Sequence, residues 1–508
     1  MKPINLFMLS TVRNLDIASV EHFARLLSDR GQELKIRDYE FQTVVSLVED
    51  LSGLVTLQDL EGFYFSYSIP QLGEEFDLLK LSDTMVINIE LKSQNVGEKA
   101  ILKQLRNKKH YLSHLSGNHY FYTYVKGDKL LYALSDDGNL VRCSITLLAS
   151  LLKKYDVFFS GNLDEKFKVS QFLVSPVNSP EKFLHGNYFL TPQQELIEDK
   201  LLSQTENKYG IDPLFFSIHG SPGTGKTLLL YHLAKKLSST KKVCIIHCAP
   251  HTEQHQKLKG MWPAVSIVVP KSLRYLNLGI FDVFIVDECQ RIYTSQLNEI
   301  VSHVREHKKM CILGIDPKQV MSRKEKWRDI DSVISRIPGI QDHKLSKKIR
   351  TNKELSGFIE VMLNLSKAKP NVKYPNVSII YANSYEEGKR IIAHYEGMGY
   401  TYISYTTSLH SYDKIDCMGS VNNTHKVIGQ EFDNVLIMLD DHFTYDEAGR
   451  MQAKIHPNPD YLFAKLFYQG ITRVREKLLL LVIDNPDLFT RITAAIGMTK
   501  EDVDEDSD

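Results

Sequence analysis

The sequence predicts an α/β chain, with an N-terminal α/β domain ahead of two lobes built on parallel sheets. Three observations carry that reading. From about 190 to 485, short apolar strands alternate with helical stretches, beginning at "FFSIH" and ending at "KLLLLVID", as in a parallel sheet whose strands are joined by crossover helices. There are more such strands than one domain takes, so two sheets are expected. A glycine-rich turn separates an apolar strand from a helical pattern in "FSIHGSPGTGKTLLLYHL" (216–233). The first 160 residues read instead as helix, β-meander, helix and hairpin.

Taken in order, residues 15–53 place apolar side chains at mixed three- and four-residue spacing and are expected to be helical. From 62 to 92 the character turns to β, in "GFYFSYSI", "EEFDLLKLSD" and "TMVINIELK". Residues 97–115 read as a helix, "HYFYTYVKGDKLLYAL" as a hairpin and 145–155 as another helix. The stretch 165–187 holds two Ser-Pro steps and little periodicity, and is expected to link a domain at 1–164 to the rest. The two lobes are expected at 188–340 and 341–495, with 496–508 as an acidic, disordered tail.

Composition excludes several classes. With 43% hydrophobic residues among 508, the chain can fill large cores. No apolar run approaches the roughly 20 residues of a membrane span, and the N-terminus lacks the pattern of a secretory signal. Six scattered cysteines without zinc-ligand spacing are expected to be reduced thiols, so a cytoplasmic location is expected. Net charge is zero, yet "EDVDEDSD" at 501–508 contributes six acids and no base, so the remainder carries a basic surplus.

Residues Gly220-Ser-Pro-Gly223-Thr-Gly225-Lys226-Thr227 fit G-x-x-x-x-G-K-[ST] at every fixed position, with strand before and helix after. In such a loop, backbone N–H groups close around the β-phosphate and Lys226 reaches the β/γ oxygens. The Thr227 hydroxyl ligates Mg²⁺. ATP and Mg²⁺ are the expected cofactors. Downstream, "FDVFIVDECQ" (281–290) is an apolar strand ending in Asp287 and Glu288. The aspartate is placed to hold Mg²⁺ and the glutamate to orient the attacking water.

Over about 189–485 these elements, with six further ones in order, resemble superfamily 1 helicases. "FLTPQQ" is similar to the family's Q motif, which implies Gln194 on the adenine edge. "CAPHT" (248–252) stands where motif Ia, a single-strand contact, is expected, and "DECQ" matches motif II. "LGIDPKQ" resembles motif III and implies Gln319 as the γ-phosphate sensor. "LSKKIRTNKEL" resembles motif IV, with Arg350 as an arginine finger. "THKVIGQEFDNVLIML" resembles motif V, with Gly429 and Glu431 in the usual places, and "FYQGITRVREKLLLLV" resembles motif VI, with Arg473 as the second finger. The wording G-Q-E-F-D and D-P-K-Q is most similar to the Schlafen-type group. The short spacings around Arg350 leave little room for large accessory subdomains, so translocation is expected ahead of processive unwinding.

In the N-terminal domain, "EEFDLLKLSDTMVINIELKS" (74–93) reads as two strands joined near Ser82-Asp83. Asp77 lies on the first; Glu90 and Lys92, two apart on the second, point to the same face. Two carboxylates and a lysine on neighbouring strands can hold Mg²⁺ beside an activating ammonium. Residues 20–150 resemble the PD-(D/E)xK nucleases, which implies Asp77 and the Glu90-Leu-Lys92 element as the metal-dependent site. The same resemblance implies Glu40 as an added helix carboxylate and Gln104 as the glutamine of the next helix. Basic clusters at 103–110, 322–328 and 345–353 add modest support for a phosphate backbone, with Trp327 available for stacking.

The expected function is a superfamily 1 ATPase fused to a Mg²⁺-dependent restriction-endonuclease-like nuclease, with nucleic acid as partner, DNA ahead of RNA, and no membrane. DNA processing or defence against phage and plasmid DNA suits that architecture. Two other readings stay open: an ATP-gated sensor whose front domain binds without cutting, and a nuclease directed at RNA.

Overall fold

The computed structural model describes the chain except residues 31–33, 70–71, 155–156, 168–173, 252, 347–352, 408–413, 455–460 and 498–508. It divides into two compact units, Met1–Val169 and Ser170–Asp508.

The first unit is built on one six-stranded sheet with its strands in sequence order: β1 (Phe63–Ser68), β2 (Glu75–Leu81), β3 (Met85–Lys92), β4 (Asn118–Val125), β5 (Leu130–Leu134) and β6 (Leu140–Cys143). All neighbours are antiparallel except β3 and β4, which run parallel. A parallel step cannot be closed by a hairpin and needs a crossover. The helix Glu98–Leu112 supplies it, burying Ile101, Leu105 and Leu112. The helix Asp38–Leu51 buries Phe41, Val44, Leu47, Val48 and Leu51, and packs against β3. In the sharp β2–β3 connection, Ser82 Oγ accepts from the N–H of Thr84 and of Met85, at 3.2 and 3.0 Å.

Gly117, at φ +103°, leads into β4, and a Cβ there would stand 2.5 Å from the carbonyl carbon and oxygen of Thr84. That carbonyl accepts from the Asn118 N–H at 2.8 Å. Gly117→Ala is therefore expected to destabilise the first unit by more than about 1 kcal/mol. A thermal melt checks this, and an unchanged midpoint would mean that the Thr84 backbone yields freely.

The second unit holds two parallel sheets. The first comprises β7 (Leu214–Gly220), β8 (Val243–His247), β9 (Val265–Val268), β10 (Val283–Asp287), β11 (Met310–Ile315) and β12 (Gln341–Leu345), in the order β12-β7-β11-β10-β8-β9. Its central strands are buried on both faces, which is why they read as unbroken apolar runs. Farther along lie β13 (Val377–Ala382), β14 (Thr401–Tyr402), β15 (Phe432–Leu439), β16 (Phe443–Tyr445), β17 (Met451–Ala453) and β18 (Val474–Ile483). The second sheet has the order β13-β18-β15-β14, while β16 and β17 pair antiparallel. This is a mixed α/β chain with parallel-strand sheets, consistent with a RecA-like P-loop core.

Two segments differ from expectation. The strand β12, "QDHKL", falls in the range assigned to the second lobe, yet it pairs in parallel with β7 at the edge of the first sheet. Its half-exposed, charged sequence lacks the apolar run that marks the other strands. The stretch 165–187, expected as a linker, is anchored by its apolar residues. Phe167 packs on Tyr67 and Phe76, with ring centroids 5.4 and 6.0 Å apart, inside the first unit. Phe183 packs on Tyr188, Tyr231 and Trp262 inside the second.

Candidate nucleotide and nuclease sites

In the second unit, the carboxyl ends of β7, β10 and β11 meet at one edge of the first sheet, where open α/β sheets bind ligands. β7 runs into the loop 220–225, and the helix Lys226–Leu237 begins directly after it. Gly223 and Gly225 take φ of +80° and +77°, which a side chain would strain. At Gly220 an added Cβ would meet Thr224 Oγ1 at 2.5 Å. The fold therefore needs these glycines to bring backbone N–H groups to the start of a helix, a natural phosphate site. Lys226 lies across the loop with Nζ 3.3 Å from the Gly220 carbonyl oxygen.

Ser221, Gly223, Gly225, Lys226, Thr227, Glu288, Gln319, Gly429 and Arg473 line one small cleft. Residues as far apart in sequence as Ser221 and Arg473 thus converge, from five predicted motifs. Asp287 ends β10 with no solvent exposure. Its Oδ1 accepts from the Glu288 N–H at 3.0 Å, and its Oδ2 lies 3.3 Å from His247 Nδ1. Burial pushes this carboxyl up, but His247, Lys226 and Thr227 together outweigh that and hold it below the ordinary aspartate range. Oδ2 has no well-formed hydrogen bond among the described residues. A buried, ionised carboxylate oxygen next to a threonine hydroxyl is a hard-oxygen donor set that fits a Mg²⁺-type cation.

Glu288 adopts φ +55°, rare for a residue with a side chain and characteristic of functional sites. Its Oε2 accepts from Gln290 Nε2 at 2.7 Å, while Gln290 Oε1 accepts from the Asp316 N–H at 3.2 Å. Asp316 in turn accepts from Gln319 Nε2 at 2.9 Å. Arg473, 2% exposed, comes from the second sheet's side of the cleft. It donates to the Gln469 and Gln430 carbonyls at 3.1 and 3.4 Å and to Gln319 Oε1 at 3.4 Å. The side chains expected to sense the γ-phosphate therefore touch one another.

Three expected site residues stand differently. Gln194 is fully buried, and its amide is committed within the protein. Oε1 accepts from the Thr191 N–H at 2.8 Å, and Nε2 donates to the Thr224 and Gly225 carbonyls at 3.1 and 3.3 Å. It braces the P-loop from behind rather than presenting an edge to adenine. Glu431 is buried next to the cleft, its carbonyl accepting from Asn178 Nδ2 at 2.9 Å, but the lining from that loop comes from Gly429. Arg350 lies outside the described residues.

The family model of the viral superfamily 1 RNA helicase core domain matches residues 216–482. The chain belongs to this family. The helicase is thus an ATP-hydrolysing, nucleic-acid motor. Among solved structures it is similar to Pif1 helicase from Bacteroides in complex with ADP-AlF3 and ssDNA, at 14% identity over 57% of this chain and 92% of that one, with a TM-score of 0.32. It is similar too to Pif1 helicase from Candida albicans, at 11% identity over 63% of this chain and 99% of that one, with a TM-score of 0.34. Comparison with curated proteins finds no match. Among the described residues no helix is long and apolar enough to cross a membrane.

The helicase's first unit carries a separate cleft of about 570 Å³, lined among others by Glu40, Glu74, Glu75, Asp77, Glu90, Lys92, Gln104 and Lys108. Glu75 and Asp77 share one face of β2, with Phe76 buried on the other. Asp77 Oδ2 accepts from the Leu91 N–H at 2.7 Å, which ties β2 to β3 at the site. Glu90 is 1% exposed, so β3 is buried on both faces and Glu90 is no solvated edge residue. It accepts from Asn88 Nδ2 at 3.2 Å and from Gln104 Nε2. The predicted Asp77, Glu90, Lys92, Glu40 and Gln104 therefore line a single cleft.

Electrostatics mark the cleft as cation-seeking. Burial, then repulsion by Asp77, pushes Glu90 up to about 8. Burial raises Asp77 as well, and burial with Asp77 raises Glu40. A divalent cation fits that donor set because it relieves several crowded carboxylates at once. Lys108 is the residue sequence reasoning missed: "KQLRNKKH" read as a basic surface, yet Lys108 is 3% exposed. Its Nζ lies 2.6 Å from Glu74 Oε1 and 3.7 Å from Glu90 Oε2. The signal was available, since Lys108 follows Gln104 by four residues and so shares its helix face.

Proposed function

We propose that the helicase couples its ATP-driven motor to a metal-dependent nuclease in the first unit, acting on DNA. The observation that carries this reading is the cleft in which Asp77, Glu90, Lys92, Glu40 and Gln104 meet. Asp77 and Glu90 hold a divalent cation, with Glu40 as a further acid from the preceding helix. A cation bound there polarises the scissile phosphate and makes its water a nucleophile near neutral pH. Lys92, half-buried at the end of β3, places its ammonium where negative charge grows on the phosphate. At the ATP site, Lys226 and the P-loop N–H groups hold the phosphates, Thr227 and Asp287 hold the Mg²⁺, and Glu288 orients the water. Gln319 and Arg473 meet the γ-phosphate.

Several features support DNA engagement and a place in DNA processing or in cytoplasmic defence against phage and plasmid DNA. Trp327 is 77% exposed on the basic helix Arg323–Arg328 and offers a face for base stacking. The G-Q-E-F-D wording supports the Schlafen-type group, which keeps RNA as the substrate to test against DNA. One observation favours a non-cleaving sensor: Glu90 is already engaged by Gln104 and lies near the Lys108 ammonium, as in a structural ion pair.

The experiment incubates the full chain with labelled single-stranded DNA, duplex DNA, plasmid and matched RNA, in Mg²⁺ or chelator, with and without ATP. Metal-dependent cleavage by the wild type that falls at least about 10²-fold in Lys92→Ala, with strand-stimulated ATP hydrolysis intact, is expected. Uncut substrates alongside normal ATP turnover would instead establish the sensor.

A further inference from the structure

The unusual side chain near the ATP site is His247. It is the last residue of β8, paired in register with Asp287, and follows four buried apolar residues of the same strand. It has no solvent exposure, and neither ring nitrogen has a well-formed hydrogen bond among the described residues. An unsatisfied buried polar group costs about 1–3 kcal/mol, so a plain core position would carry Val or Ile. Three elements meet at this ring. Nδ1 lies 3.3 Å from Asp287 Oδ2 in motif II. The ring centroid is 4.5 Å from that of His255, on the helix Glu253–Met261 that follows the motif Ia stretch. A Cβ built on Gly429 in motif V would stand 3.7 Å from Cε1 and 3.9 Å from Nε2.

We infer that His247 is a positioning residue that couples the motif Ia helix and the Gly429 loop to the carboxylate of Asp287, an inference that rests on the proposed role of Asp287 in holding Mg²⁺. Asp287 Oδ1 is fixed by the Glu288 backbone, so the carboxylate's remaining freedom is rotation of Oδ2 toward or away from Nδ1. The ring is wedged between His255 and the Gly429 loop. A shift of either element when a strand binds tilts the ring, shortens or breaks its contact to Oδ2 and so sets the carboxylate. Gly429, at φ +75°, leaves the space the ring needs. His255 is held neutral, since burial and then His247 push it down to about 2, so the coupling travels through packing.

The test uses the full chain and measures ATP turnover with and without a saturating single-stranded oligonucleotide. His247→Phe keeps the ring contacts but loses the Nδ1 approach to Asp287 Oδ2. Its kcat is expected to fall about tenfold or more, the scale of losing an outer-shell partner, with KM for ATP unchanged. His247→Asn returns an amide N–H near the Nδ1 position and is expected to recover basal kcat to within about twofold. Lacking the ring, it still loses most of the strand stimulation. His255→Leu, which leaves Asp287 and its donor in place, is expected to lose stimulation alone, and it carries the test if the His247 variants fold poorly. Oligonucleotide affinity by anisotropy is expected to be unchanged throughout. Wild-type kcat in His247→Phe, or an equal loss of basal and stimulated rates in every variant, would overturn the assignment.

Discussion

Arg473→Ala is expected to lower ATP turnover by roughly 10³-fold or more while leaving ATP affinity within a few-fold. The guanidinium is almost fully buried and held by the Gln469 and Gln430 carbonyls and by Gln319, all within 3.4 Å or less. Those contacts fix its plane before any nucleotide arrives, so little reorganisation is needed as charge builds on the transferred phosphoryl group. Ground-state binding rests mainly on Lys226 and the loop N–H groups, which the substitution does not touch. Lysine offers a point charge on a flexible stem in place of a planar fork, so Arg473→Lys is expected to recover less than a tenth of the loss. Steady-state turnover beside equilibrium binding of a fluorescent ATP analogue separates the two quantities. A decline below tenfold would remove Arg473 from the reacting phosphate.

Glu90→Gln is expected to abolish metal-dependent cleavage and yet raise the melting temperature of the metal-free first unit at pH 8 or above. As a proposed direct metal ligand, Glu90 is expected to matter more than the ~10–100-fold that outer partners carry. Stability moves the other way because the glutamate is crowded by burial and by Asp77, which lift it to about 8. With a folded pKa above the unfolded value of about 4.3, the native state binds more protons across that window. Stability therefore falls as pH rises from about 4 to 8. Glutamine is nearly isosteric with the protonated acid and escapes the fall, while Lys108 keeps Glu74 as its partner. Melts in chelator at pH 6 and pH 9 are expected to diverge in wild type and to coincide more closely in Glu90→Gln. Added divalent cation should stabilise only the wild type. A uniformly less stable variant would show that the carboxylate is a structural ion-pair partner.

The ATP site was legible because its chemistry is local in sequence. Gly220, Gly225, Lys226 and Thr227 are set by one turn, and Asp287 and Glu288 by the end of one strand. Gln319, Gly429 and Arg473 are spaced by motif, and the fold brings each of them to the same cleft. Where side-chain direction decides, the sequence was silent. Gln194 sits in the expected place, but its amide turns toward Thr224 and Gly225 because it also closes the cap of its own helix. Lys108 looked solvated because a run of basic residues hides the one among them that the crossover helix turns inward. β12 was missed because an edge strand need not be apolar, and a strand's partners cannot be read from its own residues. His247 carries no motif; only the register of β8 against β10 puts it beside Asp287.

The parallel pairing of β3 with β4 has a consequence for how the chain is made. Its crossover helix is what delivers Gln104 and Lys108 to Glu90, while Glu40 comes from a helix that precedes the whole sheet. No contiguous fragment shorter than about 70 residues contains the cluster, and pairings of such long loops form late. A chain truncated before Lys108, or one whose first unit is partly melted, consequently lacks the assembled carboxylate cluster, and the cutting activity proposed for this unit waits on the whole of that stretch.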